Sequence, residues 1–435
     1  MTERYVAALE IGSFKITGSV GVFNPEKGTL RVIATEQLPS RDSVRYGIIQ
    51  NPEEAGSRIS KIIEKLEENP AVEPSRIAGV FVGLSGRSMR SIPTDVKISF
   101  PQEMDITGEM LKDLRDDANS IDLDSNTDIL ASLPRAYYVD GMDTASPKGS
   151  VGKSIAASFD IIVGRSDIKR NLIRAVSERA GLEIKGMVVT AIAASDVVLS
   201  DEEKRLGCML VDFGAETTAV SIYQKGSLCY YATIPLGGRN ITRDLTTLPL
   251  LEEKAEQIKI ESGRAVVSET PSDLNINGLE LTKVNNMVVA RSEEIVANVI
   301  QQIFYAGLTE KDLPAGIVCI GAAANLIGLL DLISTQSGLS ARKGSLQHFV
   351  SAADQRSKRH DAIESVAILY AGALTGIEGC LEAPEEEEFE EQFDDTAESD
   401  SQPEPKAEKS GFWSGFGSRL SKIFAPPADD ETELD

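Results

Sequence analysis

Ala8-Leu9-Glu10-Ile11-Gly12 returns 202 residues later as Leu210-Val211-Asp212-Phe213-Gly214. Each copy reads as an apolar strand, an acid, an apolar residue and a glycine, followed by a short turn and a second strand, Ile16–Phe23 and then Ala219–Tyr223. Two such hairpins so far apart point to a duplicated fold with one hairpin per half; chance recurrence of a common strand-turn-strand pattern is the other reading. The turns carry candidate chemistry. A tight glycine turn aims backbone N–H groups at a phosphate, and Ser13 and Lys15 add a hydroxyl and a cation. The acids before the turns, Glu10 and Asp212, suit Mg²⁺ held through water. Two facing hairpins would clamp a triphosphate, whereas the bland alternative is a tight turn in a packed sheet.

Working outward, Gly316-Ile-Val-Cys-Ile-Gly321-Ala322-Ala323-Ala324-Asn325-Leu326 reads as a strand running into small residues and a helix. The lack of side chains there lets a flat base or ribose approach the backbone. Asn51-Pro52-Glu53-Glu54 is a helix start, with a capping Asn, Pro at the first helical position and two acids for the dipole. Ile59, Ile62, Ile63 and Leu66 form its apolar stripe, and Asn69-Pro70 ends it. Strand and helix patterns alternate through Lys185, which predicts an α/β or α+β body.

The 435 residues suffice for several cores, and 44 bases against 68 acids give a net charge of −24. Such a balance excludes a general nucleic-acid binder, which needs a basic surface. From Glu378 to Asp435 there are 19 acids and 4 bases, so most of the excess charge belongs to the tail. Only two histidines, His348 and His360, argue against a zinc site, a Ser-His-Asp triad or a His-ligated haem. Of four scattered cysteines, Cys208, Cys229, Cys319 and Cys380, three lie in apolar strand-like runs that predict buried thiols, and so few in a long chain predict a reducing compartment. Met1–Ile11 lacks a signal-peptide pattern, and Asn325 and Asp331 interrupt the longest apolar run, Gly316–Ile333. A cytoplasmic protein is expected.

The tail divides in two. Glu385–Glu388, Glu390, Glu391, Asp394 and Asp395 begin an acidic, Ser- and Pro-containing stretch too polar to form a core, which predicts an extended linker. Gly411–Phe424 then turns apolar. On a helical wheel with Phe412 at 0°, Ile423 falls at about 20°, Phe416 at about 40°, Leu420 at about 80°, Trp413 at about 100° and Phe424 at about 120°. Arg419 and Lys422 follow at about 340° and about 280°, so an aromatic face has bases beside it, as in a helix lying in a membrane interface. At about 21 Å it is too short to span a core of about 30 Å. A helix docked on protein is the alternative. Gly415 and Gly417 each cost about 1 kcal/mol, so the segment should fold only where it is buried.

In this order and spacing the pieces resemble the actin/sugar-kinase/heat-shock-chaperone ATPases: Glu10–Lys15 the first phosphate loop, Asp212–Thr218 the second, and Gly321–Leu326 the adenosine motif. Within that superfamily the chain is similar to the FtsA family of bacterial cell-division actin homologues. Val82-Gly-Leu-Ser-Gly86, Leu133-Pro-Arg-Ala-Tyr-Tyr-Val-Asp-Gly141, Ala180-Gly-Leu182 and Ile234-Pro-Leu-Gly-Gly238 carry the similarity further. Ala255–Lys259 resembles the helix that contacts adenosine through its Glu and Lys, and Ser365–Gly376 the closing helix that returns to the first half.

The resemblance implies an α/β, actin-like (ribonuclease-H-like) duplicated fold, with a nucleotide cleft between two halves and an inserted small α+β domain. A disordered acidic tail would end in an amphipathic helix. The first half would span 1–82, 164–205 and 360–378; the insert 83–163; the second half 206–243 and 309–359; an outer domain 244–308. The linker would be 379–410, the membrane helix 411–425 and an acidic end 426–435. ATP with Mg²⁺ would lie against Glu10, Gly12, Ser13, Lys15, Asp212, Gly214, Ala215, Glu216, Thr217, Thr218, Gly237, Gly238, Glu256, Lys259, Gly321, Ala322 and Asn325. Glu10 and Asp212 would serve the metal.

The implied partners are the C-terminal peptide of FtsZ, further copies of the chain in a filament, later division proteins, and the inner face of the cell membrane at the division site. The insert would contribute to self-association and to the later proteins. Arg291 and Glu294, at i and i+3 on a helix of the outer domain, would meet the FtsZ peptide, a solvated charged face being the plainer reading. The sequence also departs from the family pattern. Ala215, Glu216, Ala322 and Ala323 stand where glycines are usual, and a carboxylate at Glu216 would repel a triphosphate unless it turns away or engages the metal. Thr190 stands where many relatives place an acid beside the attacking water, a loss of about 10²–10⁴ in rate, so binding without efficient hydrolysis is expected. Five acids after the anchor should weaken its hold on anionic lipid. A sugar kinase of the same superfamily, and a pilus-assembly actin homologue tethered through a partner's peptide, are the competing readings.

Overall fold

The computed structural model describes residues 3–266, 275–276, 279–352 and 362–382. The membrane-helix residues Phe412, Trp413, Phe416, Arg419, Leu420, Lys422, Ile423 and Phe424, and the acidic run from Glu385, lie outside the described residues.

The first sheet runs in the order Glu183–Val189, Gly79–Leu84, Arg4–Ile11, Lys15–Asn24, Thr29–Pro39, Val350–Ala352. Arg4–Ile11, Lys15–Asn24 and Thr29–Pro39 pair antiparallel, while Gly79–Leu84 and Glu183–Val189 continue parallel on the other side. The second half repeats this plan. Cys208–Phe213, Thr218–Gln224 and Ser227–Ile234 pair antiparallel, with Ile317–Ile320 and Ala341–Lys343 parallel beside them. Even the register agrees. Leu9 lies opposite Gly18 and beside Val82; Val211, 202 residues on, lies opposite Val220 and beside Cys319. The duplication suggested by the echo is therefore present.

Tight turns suffice for the antiparallel strands, but a parallel strand needs a long crossover. Helix Pro52–Glu67 lies in that crossover in the first half, and helices Gly238–Leu245, Glu252–Ser262 and Leu281–Tyr305 in the second. Asn51 caps the first of these, its side chain accepting the Glu54 N–H at 3.2 Å, and Ile59, Ile62, Ile63 and Leu66 are buried beneath it. The helix covers one face of the first sheet, where a Cβ on Gly18 would meet Ile62; helix Ile363–Thr375 covers the other, where a Cβ on Gly21 would meet Leu369. Coverage on both faces explains why Val6, Ala7, Ala8 and Leu9 are buried in an unbroken run.

Inserted within the first half, between Gly79–Leu84 and Glu183–Val189, strands Arg90–Asp105, Thr127–Val139 and Val151–Arg165 run long and antiparallel, backed by helix Gly108–Asn119. Leu114, Ala118, Ile155, Phe159 and Ile161 belong to their own core. This layer joins the second half through the pairing of Arg90 with Ala232.

The chain closes on itself. Ser19 donates to Ser365 on the last helix at 3.0 Å, and Leu381–Glu382 pairs with Arg76–Ile77. The linker expected from residue 379 therefore does not begin there: Cys380 is buried and its carbonyl accepts the N–H groups of Ala78 and Gly79. A short apolar sequence too small for a core of its own is kept by an edge of the first half. All four cysteines are free thiols, and burial pushes those of Cys208, Cys229 and Cys319 up to about 12. Among the described residues no helix is long and apolar enough to cross a membrane.

Candidate functional site

Both hairpin turns close in the same way. Gly12 N–H donates to the Lys15 carbonyl at 2.9 Å, and Gly214 N–H to the Thr217 carbonyl at 3.0 Å. A Cβ at Gly214 would stand 2.8 Å from the Thr217 carbonyl, so that turn requires glycine, whereas one at Gly12 would crowd the Lys15 carbonyl at 3.1 Å and displace Glu10 Oε1.

The acids that precede these turns face each other across the halves. Burial, then the neighbouring Glu364 carboxylate, pushes Glu10 up to about 8 against the pull of Lys15. Asp212 is raised as well, by burial and then by Glu10, with a hydrogen bond to Glu364 opposing the rise. Glu364, in the first turn of the closing helix, was not singled out from the sequence, where it reads only as an ordinary acid at a helix start. Burial and the neighbouring carboxylates thus favour the neutral forms of Glu10 and Asp212, and a cation beside them would restore their charge. Oxygen donors under that strain fit a hard divalent cation such as Mg²⁺. Lys15 also reaches aside, donating to Gln37 Oε1 at 2.9 Å.

Glu216 requires a correction. Its carboxylate does not point into the cleft toward a phosphate or metal. It is 1% exposed and accepts from Arg45 Nε at 2.9 Å, the Tyr46 N–H at 2.7 Å and Arg243 Nη2 at 2.7 Å, with Arg239 Nη1 at 3.5 Å. Charge explains the orientation: a buried carboxylate turns to the cations that neutralise it. Ser13 is likewise engaged, accepting the Gly47 N–H at 2.8 Å. One residue from each turn therefore holds one of two consecutive amides in the Val44–Ile49 hairpin.

The third cluster lies against the second turn. Gly238 N–H donates to the Gly214 carbonyl at 3.0 Å and Arg239 N–H to that of Ala215 at 2.7 Å; a Cβ on Gly237 would collide with the same backbone at 2.7 Å. Thr218 Oγ1 donates to the Leu236 carbonyl at 2.8 Å. Lys259 Nζ donates to the Gly238 carbonyl at 3.0 Å and to Glu256 at 2.7 Å, and Thr242 hydrogen-bonds the same carboxylate. Gly321 has φ 85°, and a Cβ there would stand 2.5 Å from Asp212 Oδ1. Ala322 opens the 3₁₀ turn Ala322–Asn325, and Asn325 accepts from Lys343 Nζ at 3.0 Å. The structure thus brings together candidate residues drawn from three distant stretches, and adds Lys343 and Glu364 beside them. Thr190, at the start of helix Thr190–Val198, is buried.

Arg291 is not a free cation on a solvated face. On helix Leu281–Tyr305 it binds Asp244 in bidentate fashion at 2.6 and 2.9 Å and pairs with Glu294.

Two sheets of one plan, with the acids of their glycine turns acting on one another and an insert within the first, define an actin-like protein. A family model described as "Cell division protein FtsA" matches residues 209–382, and one described as "SHS2 domain inserted in FTSA" matches 86–163. Cell division protein FtsA of Porphyromonas gingivalis is 32% identical over 333 residues, covering 74% of this chain and 68% of the relative. That of Bacillus subtilis is 30% identical over 346 residues, covering 76% of each. Among solved structures, a PilM-PilN type IV pilus biogenesis complex shares the fold with a TM-score of 0.61 at 17% identity, over 86% of this chain and 99% of that one. The chain belongs to the FtsA family of cell-division proteins.

Proposed function

We propose that this chain binds ATP with Mg²⁺ between its halves, polymerises on the inner face of the cytoplasmic membrane, and anchors FtsZ filaments there while later division proteins assemble on it. The observation that carries the nucleotide reading is the meeting of Glu10 and Asp212 at the ends of equivalent strands, each raised by burial and by neighbouring carboxylates. Magnesium, when bound, would supply the charge that joins these carboxylates to a triphosphate. The amides of the two turns orient the phosphates, and Gly238 with Lys259 and Glu256 flanks the nucleoside. Thr190 offers no carboxylate to draw a proton from water, which supports slow turnover.

Family membership supports the division role. The amphipathic face of Phe412, Trp413, Phe416, Leu420, Ile423 and Phe424 supports the membrane role. An FtsZ peptide would be read at 244–308 by exchange: its carboxylate replaces Asp244 or Glu294 on the Arg291 fork. The test is sedimentation of FtsZ with phosphatidylglycerol-containing vesicles, Mg²⁺-ATP and either the full chain or a chain ending at Ser410. FtsZ should sediment with the full chain only. Equal recovery with both chains, or none with either, overturns the adaptor reading.

A further inference from the structure

We propose that Glu216 is a positioning residue for the cleft: it latches the two halves together through Arg45 and the Tyr46 amide, and this latch sets how fast nucleotide leaves. The inference rests on the nucleotide-binding reading above. Arg45 Nε bonds both carboxylate oxygens, at 2.9 and 3.2 Å, and the Tyr46 N–H donates at 2.7 Å; both partners belong to the first half, 170 residues or more from Glu216 in sequence. Their carrier is stiff. Tyr46 and Gly47 have φ of 53° and 75°, the paired left-handed geometry of a two-residue hairpin turn, and the Tyr46 ring lies under Arg87 at 5.0 Å.

Glu216 does not depend on the first half for charge compensation, because Arg243 and Arg239 approach the same oxygen from its own half at 2.7 and 3.5 Å. The Arg45 and Tyr46 contacts are therefore an addition whose geometric effect is to tie one half to the other. Duplication does not account for them. The equivalent position in the first turn is Phe14, whose side chain is 55% exposed. A nucleotide held between the halves leaves when they part, and parting must draw Arg45 and the Tyr46 amide off a carboxylate that is 1% exposed. Loss of one partner from such a buried, hydrogen-bonded charge cluster acts chiefly on dissociation.

The test is release of methylanthraniloyl-ATP, bound with Mg²⁺ to the full chain and chased with excess ATP. Arg45→Ala and Glu216→Gln should each speed release about tenfold, and the double variant should be no faster than the faster single one. Bound probe released at the wild-type rate in the variants, or single effects that multiply, overturns the latch. Arg45 is 36% exposed, so Arg45→Ala keeps the test decisive if Glu216→Gln does not fold. Failure of the wild-type chain to bind the probe would instead sink the cofactor reading. The latch is then judged by hydrogen exchange over residues 44–49 of the nucleotide-free protein: protection should fall in Arg45→Ala, and unchanged protection overturns it.

Discussion

The Asp160 carboxylate lies 3.8 Å from the Arg135 guanidinium, and neither of its oxygens meets a hydrogen-bond donor although the side chain is 1% exposed. Burial, opposed by Arg135 and aided by Asp95, pushes it up to about 6. A carboxyl raised above its free value keeps its proton longer in the folded state. Its favourable contribution is therefore full below about pH 4 and is lost as pH rises through about 6. Asp160→Asn should match the wild type in thermal melts at pH 4 and exceed it by about 2 kcal/mol at pH 7.5. Equal stability at the higher pH would refute this account.

The closing helix depends on a missing side chain. A Cβ on Gly372 would stand 2.5 Å from the ring of Phe81, which is fully buried in the interior strand Gly79–Leu84. Gly372→Ala should destabilise the first half by about 1–3 kcal/mol, read as a lower denaturation midpoint. An unchanged midpoint would show that the helix shifts freely, contrary to tight packing there.

Gly238 is a different kind of glycine. A Cβ there would lie 2.9 Å from the Cβ of Ala323 and 3.5 Å from Lys259 Nζ, narrowing the space for a nucleoside. Gly238→Ala should weaken ATP binding at least about tenfold, or about 1.4 kcal/mol, by calorimetric titration. Undiminished affinity would place the nucleoside elsewhere.

Asp212→Asn should separate stability from binding. Removing a charge that Glu10 and burial oppose should raise the melting temperature of the nucleotide-free protein. The same change should weaken Mg²⁺-ATP binding about tenfold while affecting metal-free ATP less. A variant that binds Mg²⁺-ATP as the wild type does would remove Asp212 from the metal site.

Trp413, the single tryptophan, reports on the tail directly. Its emission should shift to the blue with anionic vesicles, and further when ATP drives polymerisation and many weak anchors act together. A water-like spectrum in all conditions would count against direct membrane attachment.

Features legible in the residues alone were local or repetitive. The Glu10 and Asp212 turns, the Asn51 cap, the Ile59–Leu66 stripe and the buried cysteines were legible because a turn, a cap or a helix face is set by residues a few positions apart. The duplication was legible because one hairpin register is written twice. Tertiary structure alone decided where charged side chains go. Glu216 turns to Arg45, and Arg291 to Asp244; Lys343 reaches Asn325, Glu364 joins the cleft acids, and Asp160 lacks a donor. The physical reason is that a charge takes the partner nearest in space once water is excluded. That distance is settled by how sheets and helices pack, and spacing along the chain does not encode it.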